Sequence, residues 1–477
     1  MTFKHTLLAI GLMTAFQAIA AQDEIRSTLH DQQSIAVTIY NGDLALVKDQ
    51  RKVNLNSGLN ALALRDVSAQ IQAETALLRS LSGQLQTLEQ NFDYDLLSPE
   101  KLLEKYIGHT VQVIRTNPAT GAETIESALV LAANNGTVLK IGDRIETGIP
   151  GRIVYPDVPE NLRDRPTLVT QLTTRQAGPQ DVELSYLTSG LGWKADYVAE
   201  LNAAEDKLDL SGWVTLSNTS GTTYRNAKLQ LVAGDVHRIS PSRPVPMALM
   251  RKNEMMMADA APAMAEESLL EYHLYSLDRP TTLAENQTKQ VALLSAQAVP
   301  VRKELVLRGA NYYYQSNQGD LGQKLKVGVF IEFDNKESAK LGQPLPKGIL
   351  RVYKKDSQGN AQFVGEDNID HTAKNETVRL KLGDAFDVTA DKKQTDFKKL
   401  PNPAKGNSQF ESAYEIVLKN AKNQPVKVNV IEPIPGDWKI LAQSHSSAKS
   451  SSNTASWQIT IPAESSITLT YRVQVKY

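Results

Sequence analysis

The chain has 477 residues, 52 Lys and Arg against 53 Asp and Glu for a formal net charge of -1, and no cysteine. The missing thiol excludes disulfides, thiolate catalysis, redox dithiols and cysteine-ligated zinc. The near-cancelling charge offers no single-sign field of the kind that captures nucleic acid, and a chain of this length without disulfides suits about two to four domains with ordinary cores.

The N-terminal residues predict export. Lys4 and His5 precede the apolar run "TLLAIGLMTAF", followed by small residues at Ala18, Ala20 and Ala21, the order of a signal peptide over residues 1–21 with cleavage near Ala20 or Ala21. The run is too short to span a bilayer, and no later apolar stretch reaches that length, so the expected location is the periplasm, with no transmembrane helix after cleavage. No cysteine follows for lipid attachment. Peripheral association with the outer membrane stays open.

From residue 22 to 97 the pattern has period two. "SIAVTIY", the turn Asn41-Gly42 and "LALVKDQRKVNL" read as a β-hairpin. Residues 98–160 open on a helix, "SPEKLLEKYIG", with Ser98 as N-cap, Pro99 at the first helical position and Gly108 beyond its end. Short strands around "NPATG", "NNG" and "GD" follow, the spacing of a small β-barrel-like insert. Residues 161–300 carry longer strands such as "DVELSYLTS", "WKADYVAEL" and "KLDLSGWVTLSN", as in an antiparallel β-sandwich, with an excursion at 240–268. Residues 301–477 repeat the style and read as an immunoglobulin-like β region, with the serine-rich "SHSSAKSSSNTAS" as a hairpin tip. The expected fold class is therefore mainly β and multi-domain, with one short helix.

Several stretches together resemble a bacterial family, the mucoidy-inhibitor-like proteins that carry the domain of unknown function 4139. They are "YNGDLALVKD" from Tyr40, "YLTSGLGWKADYVAEL" from Tyr186, "LSNTSGTTYRNAKLQLVAGDV" from Leu216, "EYHLYSLDRPTTL" from Glu271, "LPKGILRVYKKDSQG" from Leu345, "FVGEDNIDHTAKNETVRLKLGDAFDV" from Phe363 and "YEIVLKNAKNQPVKVNVIEPIP" from Tyr414. The resemblance implies a mainly β, exported or envelope protein and supplies no catalytic residues. This chain lacks the long coiled-coil insertion that members often carry in their N-terminal half.

The motifs read as structural. Gly190 and Gly192 in "SGLGW" lie between two strands with no helix N-terminus to complete a phosphate cradle, so a bulge or tight crossover is expected. Trp193 and Trp213 are expected in the core. Ser98 and Lys101 have the spacing used by penicillin-recognising enzymes, but the companion motifs are missing and a helix cap accounts for Ser98. His30, His109, His237, His273, His371 and His445 show no metal-ligand spacing. The final strand, "SITLTYRVQVKY", alternates as the closing strand of an outer-membrane barrel does, and equally as a half-buried sandwich strand.

Apart from Met1 and Met13, every methionine lies within residues 247–264. Met250, Met255, Met256 and Met257 could offer soft thioethers to Cu(I). Met247, Met250, Met255, Met256, Met257 and Met264 could instead form an adaptable docking surface for a partner. The plainest reading is a tolerant loop: adjacent methionines cannot share one helix face, and a core of branched residues has little use for methionine. The leading expectation is an exported, non-catalytic envelope protein that binds or scaffolds protein or polysaccharide, with no cofactor, no nucleic acid partner and an open oligomeric state. The rivals are an envelope hydrolase using an Asp/Glu pair and, less favoured, an outer-membrane β-barrel.

Overall fold

Alternation of apolar and polar side chains sets which face of each strand is buried, and in Leu44–Leu55 the buried alternate residues are Ala45, Val47, Asp49, Arg51, Val53 and Leu55, with Leu44 buried beside them at the strand's start. Two charged residues therefore sit on the core side of an otherwise apolar row. The computed structural model describes residues 24–134, 136–159, 162–234, 236–237, 264–401 and 408–477. It is mainly β, with a single α-helix among the described residues. The expected signal segment lies outside them.

Four sheets make up the described protein. The first has the order Glu24–Ser27, Gly58–Arg65, Thr167–Thr174, Leu85–Asp93. A second is built on Tyr224–Ala233, Gln32–Tyr40, Leu44–Leu55 and Gly178–Thr188 as its central run. The largest holds thirteen strands and continues to the C-terminus. Its strands Gln287–Arg308, Asp320–Asp334 and Thr377–Leu400 each pass from one hydrophobic core into the next: Val291, Phe333 and Leu380 belong to the larger core, Leu305, Val327 and Val388 to the C-terminal one. Residues 300 and 301, where the sequence suggests a division, lie inside the first of these strands.

The helix is Pro99–Lys105, and the Ser98 hydroxyl accepts from the Lys101 amide at 3.2 Å. Gly108 follows with φ +84°. Ser98→Ala is expected to destabilise this turn by about 1 kcal/mol, seen as faster hydrogen exchange at the Lys101 amide. The strands after it form a five-stranded sheet with its own small core, in the linear order Arg144–Thr147, Val138–Ile141, Glu123–Ala132, Thr110–Thr116, Arg152–Val154. Its two end strands do not pair with each other among the described pairings, so the insert is an open sheet rather than a closed barrel.

Ser189-Gly190 is a crossover. Gly178–Thr188 pairs with Leu44–Leu55, whereas Leu191–Leu201 pairs with Lys207–Asn218 in another sheet. Gly190 has φ +82° and a Cβ there would stand 2.7 Å from Ser220 Cα, so only glycine fits.

The fold contains one arrangement twice, a duplication that the sequence reading did not find. In the first copy Asn218 lies opposite both Leu191 and Gln287, and Tyr224 opposite Leu283. In the second, Asn420 lies opposite both Val388 and Ser465, and Val426 opposite Ile461. The two asparagines close equivalent turns. Asn218 Nδ2 donates to the carbonyls of Thr222 and Leu283, and Asn420 Nδ2 to those of Gln424 and Ile461. Gln287–Arg308 takes part in both copies, in the first beside Lys207–Asn218 and in the second parallel to Val426–Pro433.

The last strand, Ser465–Lys476, closes no barrel. It lies between Gln409–Asn420 and Asp437–Gln443 and buries Leu469, Tyr471, Val473 and Val475 in the C-terminal core.

Candidate functional site

In "DVTADKKQ" alternation places Val388, Ala390, Lys392 and Gln394 on the buried face of their strand, and in "VKVNVIEP" it places Val428, Val430 and Glu432 on the buried face of theirs. Lys392 and Glu432 therefore point into the C-terminal core. Lys392 Nζ stands 2.6 Å from Glu432 Oε1, with the two side chains 1% and 0% exposed. The Tyr314 hydroxyl donates to Glu432 Oε2 at 2.7 Å and lies 2.8 Å from the Tyr471 hydroxyl. Aromatic rings wall the ammonium: Nζ is 4.4 Å from the Tyr313 ring centre and 5.2 Å from that of Tyr414. Trp457 closes the cage behind Tyr471, with ring centres 4.8 Å apart.

Burial governs the ionisation here. It pulls Lys392 below its ordinary value against the opposing pull of Glu432, and it pushes the Tyr314 and Tyr471 hydroxyls well above theirs. The centre is closed to any outside substrate, so its chemistry is confined to its own members.

A second buried pair ties the first two sheets together. Arg51 Nε and one terminal nitrogen donate to Asp49 Oδ2 at 2.9 and 2.7 Å, and the guanidinium also donates to the carbonyls of Ser27 and Arg65. Gln32 donates to the remaining carboxylate oxygen of Asp49. Every group in this pair is matched, which marks it as a joint in the fold.

Among the described residues, two grooves that open to solvent carry charged linings. One, lined by Leu201, Val329, Ile331, Val364 and Leu382 with Glu205 between Lys303 and Lys354, holds about 170 Å³, below the roughly 300–1,000 Å³ of ordinary ligand pockets. Burial raises the Glu205 pKa, but hydrogen bonds from Lys303 and Lys354 outweigh it and hold the carboxyl at about 2. A depressed folded pKa gives stability that is present above the usual value of 4.5 and lost as pH falls through about 2. Glu205→Gln is therefore expected to melt below the native protein at neutral pH. That difference should shrink steadily from about pH 4.5 to pH 2 in a series of thermal melts.

The other groove holds about 310 Å³ and is lined by Arg26, Arg65 and Arg163 with Glu24 and Asp164. Arg163 pairs with Glu24 and Asp93, and Arg65 with Asp164. Its arginines are thus answered by carboxylates of the chain itself.

Of the methionines singled out from the sequence, Met247, Met250, Met255, Met256 and Met257 lie outside the described residues. Met264 is 5% exposed and packs in the larger core, where its side chain is not part of a surface. Trp193 joins that core, while Trp213 is only half-buried. The histidines lie apart: His109 packs on Tyr106, His273 pairs with Glu266 at 2.8 Å, and His445 lies beside Ser444. No group of three or more His, Asp or Glu suited to a metal occurs among the described residues. The Lys392 and Glu432 centre went unnoticed in the sequence, although its signal was present as charged residues on the apolar parity of two strands.

No curated protein matches the chain. The family model described as Domain of unknown function (DUF4139) matches residues 182–477, from inside the strand that leads to the Gly190 crossover through the whole second copy of the sandwich. That match spans more than half of the sequence, and the chain belongs to this family.

Proposed function

We propose that the protein is an exported component of the cell envelope that binds or scaffolds protein or polysaccharide and carries out no chemistry on them. The observation that carries this reading is the state of the carboxylates facing the two grooves. A glycosidase-type hydrolase needs one carboxyl that holds a proton near neutral pH and a second that is free to act as base or nucleophile. Glu205 is held at about 2 by two lysines, Asp384 lies within ion-pair distance of Lys326 and Lys381, and Glu24 and Asp164 are engaged by arginines. Each is thus already taken up by basic side chains of the chain itself.

Three further features support the reading. The N-terminal order of basic, apolar and small residues resembles a signal peptide, which supports a periplasmic mature chain. The sequence resembles the mucoidy-inhibitor-like proteins within its family. The C-terminal region, whose mostly antiparallel strands enclose a core of their own, suits an immunoglobulin-like module, an architecture that presents flat faces and edges for contact. The methionine-rich stretch offers a docking element as the alternative to its plainest reading, a tolerant loop.

The test joins location to binding. Osmotic shock is expected to release a chain whose N-terminus lies at Ala21 or Gln22. The purified protein should then sediment with insoluble envelope polysaccharide, or with an envelope protein, and leave it intact. Release of soluble sugar fragments, lost on Glu205→Gln or Glu24→Gln, would establish the hydrolase instead.

A further inference from the structure

The duplicated sandwich provides its own control for the buried charged centre. Lys392 lies opposite Ile416, four residues before the turn asparagine Asn420, and at the matching place Ala195 lies opposite Val214. Tyr414 faces Tyr471 where Gly212 faces Leu294. Glu432 takes the inward position that Leu231 fills in the first copy, once the irregularity between Tyr224 and Ala227 is allowed for. The same packing is thus made with hydrocarbon alone in one copy. In the other it contains two opposite charges whose removal from water is costly. Gly309 makes room for them, since a Cβ there would stand 2.2 Å from Glu432 Oε2.

We propose that Lys392 and Glu432 condense to an intramolecular amide that joins the strand Thr377–Leu400 to the strand Val426–Pro433. The reacting groups lie forty residues apart in sequence and 2.6 Å apart in space, held with no access to bulk water. Such fixed proximity replaces the entropy cost of bringing them together. The ammonium first passes a proton to Oε1, leaving a neutral amine and a carboxylic acid, and the burial that already lowers the Lys392 pKa favours that neutral state.

The Nζ lone pair then attacks Cδ. Negative charge gathers on Oε2, which accepts the Tyr314 hydroxyl at 2.7 Å, a donor placed as in an oxyanion hole. A second proton moves from Nζ to the Oε1 hydroxyl, the Cδ–Oε1 bond breaks, and water leaves. An ammonium and a carboxylate become a secondary amide and one water, with no oxidant, reductant or other reactant. The gain is the exchange of two buried charges for one neutral, hydrogen-bonded group. The bond would fix the C-terminal sandwich against pulling, whatever the protein holds.

Intact mass of the purified full chain under denaturing conditions decides the matter once its N-terminus has been sequenced. The expected mass is that of the sequence less one water, and digestion should yield a branched peptide joining Lys392 to Glu432. Lys392→Arg, whose guanidinium does not condense, should restore the missing water. Because mass is read on unfolded chains, a variant that folds poorly still reports. A native chain at full sequence mass, with Lys392 and Glu432 recovered in separate linear peptides, overturns the proposal and leaves a plain ion pair held by aromatic rings.

Discussion

Arg51→Ala is expected to lower the free energy of unfolding by about 3–5 kcal/mol, read as a fall in the urea midpoint at unchanged slope. The size follows from what the substitution leaves behind. Arg51 is fully buried and answers both Asp49 and the carbonyls of Ser27 and Arg65, which belong to different strands of the neighbouring sheet. Alanine removes all of these donors together, and the Asp49 carboxylate keeps only the Gln32 amide among the side chains that now bind it. An uncompensated charge in that position is far costlier than a lost surface pair, which is worth at most about 1 kcal/mol. Arg51→Lys should fall between the two, because an ammonium cannot span Asp49 and both carbonyls at once. A midpoint shift equivalent to less than about 1 kcal/mol for the alanine variant would mean that water fills the gap and that the pair is no joint.

Arg51 also shows what the sequence disclosed and what it hid. Period two in "LALVKDQRKVNL" gave the strand and its partner, because alternation is a local property of the chain. The Ser98 cap and the crossover at Gly190 were legible for the same reason: each depends on neighbours in sequence. The expected barrel in the insert became an open sheet because closure requires the two end strands to meet, and short strands with turns between them do not specify that. Nor could alternation reveal the duplication. Asn218 and Asn420 do the same work, but the strands around them share packing rather than residues, and Lys392 and Glu432 stand where the first copy has Ala195 and Leu231. The buried centre joins residues forty positions apart, so a single charged residue on an apolar parity was its only trace in each strand. The groove at Glu205 was still less visible, since its lysines, Lys303 and Lys354, come from separate strands.

The replacement of the second copy's charged pair by the first copy's residues should separate the cost of the charges from the needs of the fold. Lys392→Ala alone is expected to destabilise by about 3–5 kcal/mol, because Glu432 then remains buried with Tyr314 as its side-chain donor. Glu432→Leu alone strands the Lys392 ammonium among Tyr313, Tyr414 and Tyr471, with a similar loss. Lys392→Ala combined with Glu432→Leu leaves no charge behind and copies a pairing that the fold already packs once, opposite Val214. The double variant should therefore be more stable than either single variant, with a coupling in the range of about 0.5–3 kcal/mol expected for residues in direct contact. All three variants lack the means to form an amide between these positions, so their ranking does not depend on whether the native pair condenses; the single losses and the coupling, which take the native chain as reference, are those of the uncondensed pair. Simple addition of the two single losses in a denaturant cycle would show that the cavity left by the long side chains, rather than the orphaned charge, sets the cost. The C-terminal core would then owe its stability to the volume that Lys392 and Glu432 fill between Tyr314, Tyr414 and Trp457.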